Sequence, residues 1–99
     1  MTTYHVLIYH TVDGYVERRK PYRSDHLRLV ELASERDEIV MAGALDEPAD
    51  SALLVFRGDR SIAENFAKQD PYVQNGLIES WEVRPWRVVI DPTNPTPKK

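Results

Sequence analysis

A chain of 99 residues holds one domain, and a domain this small buries only part of the surface its unfolded chain exposes, so association stabilises it strongly. Hydrophobic residues make up 41% and charged residues 29%, a globular balance, and no apolar stretch nears the roughly 20 residues that a membrane span needs. The absence of cysteine excludes a disulfide scaffold, a thiolate zinc site and a cysteine nucleophile, and a net charge of −3 gives no general pull towards nucleic acid or anionic membrane.

Residues 4–9 (Tyr-His-Val-Leu-Ile-Tyr) form a β-branched and aromatic run that reads as a strand. No basic segment precedes that run, so a signal peptide is not expected and the cytoplasm is the expected location. Residues 11–22 read as a polar connection, with the turn dipeptide Asp13-Gly14 and Pro21. From 24 to 36 the pattern turns helical. At about 100° per residue, Leu27, Leu29, Val30 and Ala33 share one arc, opposite Arg28, Glu31 and Glu35.

Residues 39–45 read as a second strand, broken by Gly43, and 46–50 as an acidic turn around Pro48. The wholly apolar stretch 52–56 is a third strand. Residues 61–68 form a second helix behind a capping-box pattern, Ser61 and Glu64. Asp70 then caps a short helix with Pro71 at its first position, and Gly76 stops it. Residues 79–90, including Pro85, make the closing strand. A single domain over 1–90 is thus followed by a proline-rich tail, 91–99, expected to fray or drape.

The order β-α-β-β-α-β predicts an α+β, ferredoxin-like sandwich whose last strand lies at a sheet edge, where Pro85 is tolerated. Two helices cover one face of such a sheet. Residues 6–8 and 52–56 are nevertheless apolar at consecutive positions, so both faces require burial. A second copy of the chain packed sheet against sheet meets that requirement, and a homodimer is expected.

Few residues carry candidate chemistry. His26 falls between Val30 and Ala33 on the apolar arc, pointing inward from the first turn of its helix. That suits a general base, and equally a buried histidine satisfied by a backbone carbonyl. Asp70 has a capping role, and a functional one only if the turn after the second helix approaches the start of the first. Spacing does not give that distance. Arg18-Arg19-Lys20 with Arg23 forms the basic cluster, either a solvated loop or an anion-binding lid, and Arg23 lies three residues before His26. Tyr72 stands beside Asp70 and offers a hydroxyl, whereas Trp81 and Trp86 read as core or interface aromatics.

His5 and His10 alternate to opposite faces of their strand, and no spacing resembles a zinc or iron site, so no metal is expected. The four glycines are too dispersed for a phosphate-cradling loop. The third strand lacks the exposed aromatics of RNA-recognition sheets. Neither a nucleic-acid nor a membrane partner is expected.

Taken in order, the N-terminal Val-Leu-Ile-Tyr strand, Arg23-Ser24-Asp25-His26-Leu27, Met41-Ala42-Gly43, Gln69-Asp70-Pro71-Tyr72, Gly76 and Val83-Arg84-Pro85-Trp86 resemble the YCII-related family of small bacterial proteins. The resemblance covers about residues 4–90. It implies a dimeric α/β barrel of two ferredoxin-like halves, similar in fold to muconolactone isomerases, in a family with a known dehydrochlorinase. It also implies that His26 and Asp70 face one pocket as an acid–base pair. The basic loop at 18–20, the polar turn at 46–50 and the proline-rich tail depart from the family pattern and bear on the rim of that pocket.

The expectation is therefore an enzyme without a cofactor, isomerising or eliminating on a small cyclic or carbonyl-bearing molecule. His26 and Asp70 would move the proton, while Arg23 and Tyr72 hold an anionic or enolic oxygen. The alternative is a small-molecule binding or accessory domain using the same residues as ligand contacts. A third reading makes His26 and Asp70 structural.

Overall fold

The computed structural model describes residues 2–92. Four strands, β1 (Thr2–Thr11), β2 (Ile39–Ala44), β3 (Ser51–Phe56) and β4 (Ile78–Val88), form one antiparallel sheet in the order β2-β3-β1-β4. This is the ferredoxin-like α+β order that the sequence predicts. The long β1 is central because it carries a ladder on both sides, to β3 and to β4. Strand β4 is an edge, so Pro85, opposite His5, interrupts only a one-sided ladder.

Helices α2 (Arg23–Glu35) and α3 (Arg60–Gln69) lie on one face. Strand alternation sends Leu7 and Tyr9 of β1, Leu54 and Phe56 of β3 and Val83 of β4 towards them. Ala33, Ala63, Phe66 and Ala67 complete that core from the helices, and Phe66 packs on Phe56 at 5.3 Å between ring centroids. The alanines at 63 and 67 let α3 sit close on the sheet.

Two local expectations are corrected. Residues 11–22 are not a plain polar connection. They hold a one-turn helix, α1 (Tyr15–Arg18), and a 3-10 turn over Lys20–Tyr22. Each piece is too short to show a helical period, and the tell-tale is instead the buried Tyr15. The second helix starts earlier than its capping-box pattern suggests, because Asp59 takes the cap. Its carboxylate accepts from the backbone N–H and the hydroxyl of Ser61, leaving Glu64 to pair with Arg60 at 3.1 Å. Residues 93–99 of the expected tail lie outside the described residues.

The opposite sheet face is only partly covered. Tyr4, Val55 and Val88 are buried there, with Val6 and Val40 against them. The chain itself supplies some cover: Arg57 lies over the Tyr4 ring at 6.0 Å, and the Tyr4 hydroxyl donates to Asp91. Beside this cluster Met41 (59% exposed), Leu53 (37%) and Trp86 (48%) remain open to solvent. The ladder registers place all three on this face, Met41 opposite Val55, Leu53 opposite Ile8 and Trp86 opposite Tyr4.

Candidate active site

Asp70 sits at the joint where α3 ends and the one-turn helix α4 (Pro71–Gln74) begins. Its extended backbone (φ −71°, ψ 123°) and the proline after it start the new helix, and its Oδ1 accepts from the Tyr72 N–H at 3.0 Å. Capping leaves the rest of the carboxylate free to face inward. The side chain is wholly buried. There it accepts two further hydrogen bonds, from the Tyr9 hydroxyl at 2.6 Å and from His26 Nδ1 at 2.9 Å to Oδ1 and 3.0 Å to Oδ2. The central strand, the first long helix and the α3–α4 joint thus meet on one carboxylate, and three donors offset the cost of burying it.

His26 reaches this point because it lies one turn inside α2, on the face that Val30 and Ala33 also share. Donation through Nδ1 assigns the lone pair of the neutral ring to Nε2. The imidazole is held flat against the Tyr72 ring, with centroids 3.9 Å apart and planes within 6°. Tyr15 meets Tyr72 edge-on at 5.7 Å, and the Arg19 guanidinium lies over Tyr15 at 5.1 Å. Imidazole, Tyr72 and Tyr15 therefore fix each other's positions.

Both site phenols stay protonated at neutral pH. Burial, then the Asp70 charge and its hydrogen bond, hold Tyr9 far above the ordinary phenol range. Burial, with a smaller effect of Tyr15, pushes Tyr72 up to about 12 against the opposing pull of Arg19 and Arg23. Tyr9 is accordingly a permanent donor to Asp70.

Next to these groups is a cavity of about 190 Å³. Its space comes from small residues, since Ala42, Gly43 and Ala44 of β2 with Ala52 of β3 line one wall. His26, Tyr72, Tyr9, Arg19 and Arg23 line it from the other elements. A cavity of about 150 Å³ accommodates a benzene ring. The volume here suits one ring with a few substituents.

Of the residues singled out in the sequence, His26, Asp70, Tyr72 and Arg23 are brought together, with Asp70 behind the wall rather than on it. His5 and His10 are not: His5 Nδ1 meets the Gly58 carbonyl at 3.0 Å and His10 faces solvent. No group of three potential metal ligands occurs among the described residues. Sequence reasoning missed Tyr9 and Tyr15, and it named Arg19 only as one member of the basic cluster at 18–20. For Tyr9 a signal existed, because a tyrosine in the inward row of a central strand must find a partner for its hydroxyl. No signal set Arg19 apart within its cluster.

A sequence model of the YCII-related domain matches residues 2–87. No curated protein matches the sequence. Among solved structures, a 5-chloro-2-hydroxyhydroquinone dehydrochlorinase from Burkholderia phenoliruptrix, in complex with 2,5-dihydroxybenzoquinone, superimposes with a TM-score of 0.71 at 17% identity, covering 85% of this chain and 93% of that one. A NIPSNAP family protein from Agrobacterium tumefaciens gives 0.59 at 17% identity, covering 95% of this chain and 100% of that one. A further Agrobacterium tumefaciens protein gives 0.58 at 15% identity over 88% and 93% of the two chains. At these identities the likeness is one of fold.

Proposed function

The chain belongs to the YCII-related domain family, and from that premise we propose that it is an enzyme that moves a proton on a small ring-bearing or carbonyl-bearing molecule without a cofactor. The observation that supports this most directly is the Tyr9–Asp70–His26 chain of hydrogen bonds ending beside a ring-sized cavity. Asp70 holds the ring so that Nε2 is the basic nitrogen, and it stabilises the imidazolium that forms when Nε2 takes a proton. Negative charge then builds on an oxygen of the substrate, where Arg23 and the Tyr72 hydroxyl would receive it. Return of the proton to another carbon gives isomerisation. Expulsion of an anionic leaving group, with the carbon–hydrogen electron pair forming the new double bond, gives elimination. The fold neighbour that removes chloride from a chlorinated hydroxyhydroquinone is consistent with the second course.

The experiment is a panel of lactones and chlorinated hydroquinones, followed by product formation and by deuterium uptake from heavy water. The wild-type chain is expected to act on at least one member. His26→Ala should abolish the reaction, and Asp70→Asn should lower kcat by about four orders of magnitude, as when a carboxylate that fixes a catalytic tautomer is lost. Full turnover in both variants would show the assignment to be wrong. Tight binding of a panel member with neither turnover nor exchange would favour a binding domain.

We also propose that the chain works as a homodimer. Met41, Leu53 and Trp86 leave one face of the sheet open and apolar, and a second copy offers the matching surface. At about 25 cal/mol per Å², covering a few hundred Å² of apolar surface is worth several kcal/mol before the cost of association.

A further inference from the structure

The charges around the cavity are one-sided. Its wall carries two guanidinium groups, Arg19 and Arg23, and, among the described residues, no carboxylate. Asp70, behind the wall, is already committed to Tyr9, Tyr72 and His26. Two cations nearby are paired: Lys20 holds Glu17 at 2.6 Å, and Arg28 lies 3.7 Å from Glu31. Arg19, between Arg18 and Lys20 in sequence, instead turns over the Tyr15 ring and towards the cavity. Stacking there holds its planar donor fork in place. Both guanidinium charges are felt at the Tyr72 ring, the ring that stacks on His26, where they oppose the effects of burial and Tyr15. Two like charges on one concave wall repel each other, and an anion between them lowers that cost.

We infer that the cavity selects a single-ring molecule bearing an anionic oxygen, with Arg19 and Arg23 as the pair that reads the charge. The inference rests on the proton-transfer reading for its purpose, since it places the charge of the substrate near the base, but its test does not require turnover. Arg19 is on this account a specificity residue, and the 3-10 turn that separates it from Arg23 sets the spacing of the two groups.

Binding of two charged and neutral pairs provides the test. Benzoate against benzamide probes an exocyclic carboxylate, and pentafluorophenolate against pentafluoroanisole probes an oxygen on the ring itself. Affinities are read by calorimetry and by fluorine NMR at low ionic strength. At least one anion should bind about tenfold or more tightly than its neutral partner, the difference a charge-assisted hydrogen bond provides. The pair that shows the preference identifies which kind of anion is read. Added salt should weaken the anion alone. Arg19→Ala and Arg23→Ala should each remove most of the preference, with Arg19→Lys intermediate because it keeps charge and loses the fork. His26→Gln should keep it. Equal affinities within both pairs, no binding of either anion at millimolar concentration, or an undiminished preference in Arg19→Ala would overturn the inference. An intact preference in a chain that never shows turnover would sink the proton-transfer reading and leave the anion site standing.

Discussion

Replacing Tyr9 by Phe removes a single oxygen from the least exposed part of the site. The phenol of Tyr9 donates to Asp70 at 2.6 Å, and both side chains are buried. Ring packing survives the change, so the loss is one O–H to carboxylate bond whose acceptor keeps its charge. A hydrogen bond to a charged group contributes about 1.5–3 kcal/mol, and water cannot replace this one. Asp70 Oδ2 retains His26 Nδ1 at 3.0 Å, which places the expected cost near the middle of that range, about 2 kcal/mol. With a urea slope of roughly 1–3 kcal/mol per molar for a small domain, the midpoint should fall by about 1 M. The melting temperature should fall by roughly 10 °C. The assay is urea unfolding at neutral pH of the wild type, Tyr9→Phe, Asp70→Asn and the double variant. The double-variant cycle should give a coupling of about 1 kcal/mol or more, because the two side chains act as one unit. A loss below about 0.5 kcal/mol for Tyr9→Phe, or additive losses in the double variant, would refute the account of Asp70 as a buried carboxylate stabilised by its donors.

Alkali should destabilise the chain. Tyr9 and Tyr72 are both held above the ordinary phenol range, in each case chiefly by burial. Above about pH 10 the unfolded state loses these protons while the folded state keeps them, so unfolding is favoured by up to about 1.4 kcal/mol per pH unit for each tyrosine. For Tyr72 the slope should end near pH 12, and Tyr9→Phe should flatten the fall in denaturation midpoints measured from pH 9 to 11. A fall of the same steepness in that variant would show that Tyr9 is not the group responsible. For the dimer, sedimentation at micromolar concentration should give twice the chain mass, and Leu53→Glu, in the middle of the open sheet face, should return it to one. A folded wild-type monomer at that concentration would exclude the dimer.

The elements with a clean pattern were legible in the sequence. Apolar, β-branched or aromatic runs marked β1, β2 and β3, the closing strand was read through its charged residues, and the arc through Val30 and Ala33 placed α2 within a residue or two of Arg23–Glu35. One-turn pieces have no period to detect, so α1 and the 3-10 turn were not legible, and neither was which member of the basic cluster they turn towards the cavity. The sequence offers Ser61 and Glu64 as a capping box, whereas the hydrogen bonds put the cap two residues earlier, at Asp59. Asp70 shows why spacing alone leaves roles open. Capping and contact with His26 looked like rival uses of one carboxylate, yet its two oxygens serve both. What sequence lacked was distance: that β1, α2 and the α3–α4 joint converge is a property of the assembled sheet.

That convergence has a bearing on the order of folding. Asp70 meets His26 across 44 residues and Tyr9 across 61. Contacts that close such long loops are unfavourable until most of the chain is in place, and they belong to the late part of a folding reaction. Only the capping bond to Tyr72, two residues away, can form early. The carboxylate is therefore poised by a local interaction first and joined to its distant partners last. Partly folded chains would carry the short helix without the base, so a refolding experiment should see the His26 environment appear with the final phase, when the whole sheet is closed.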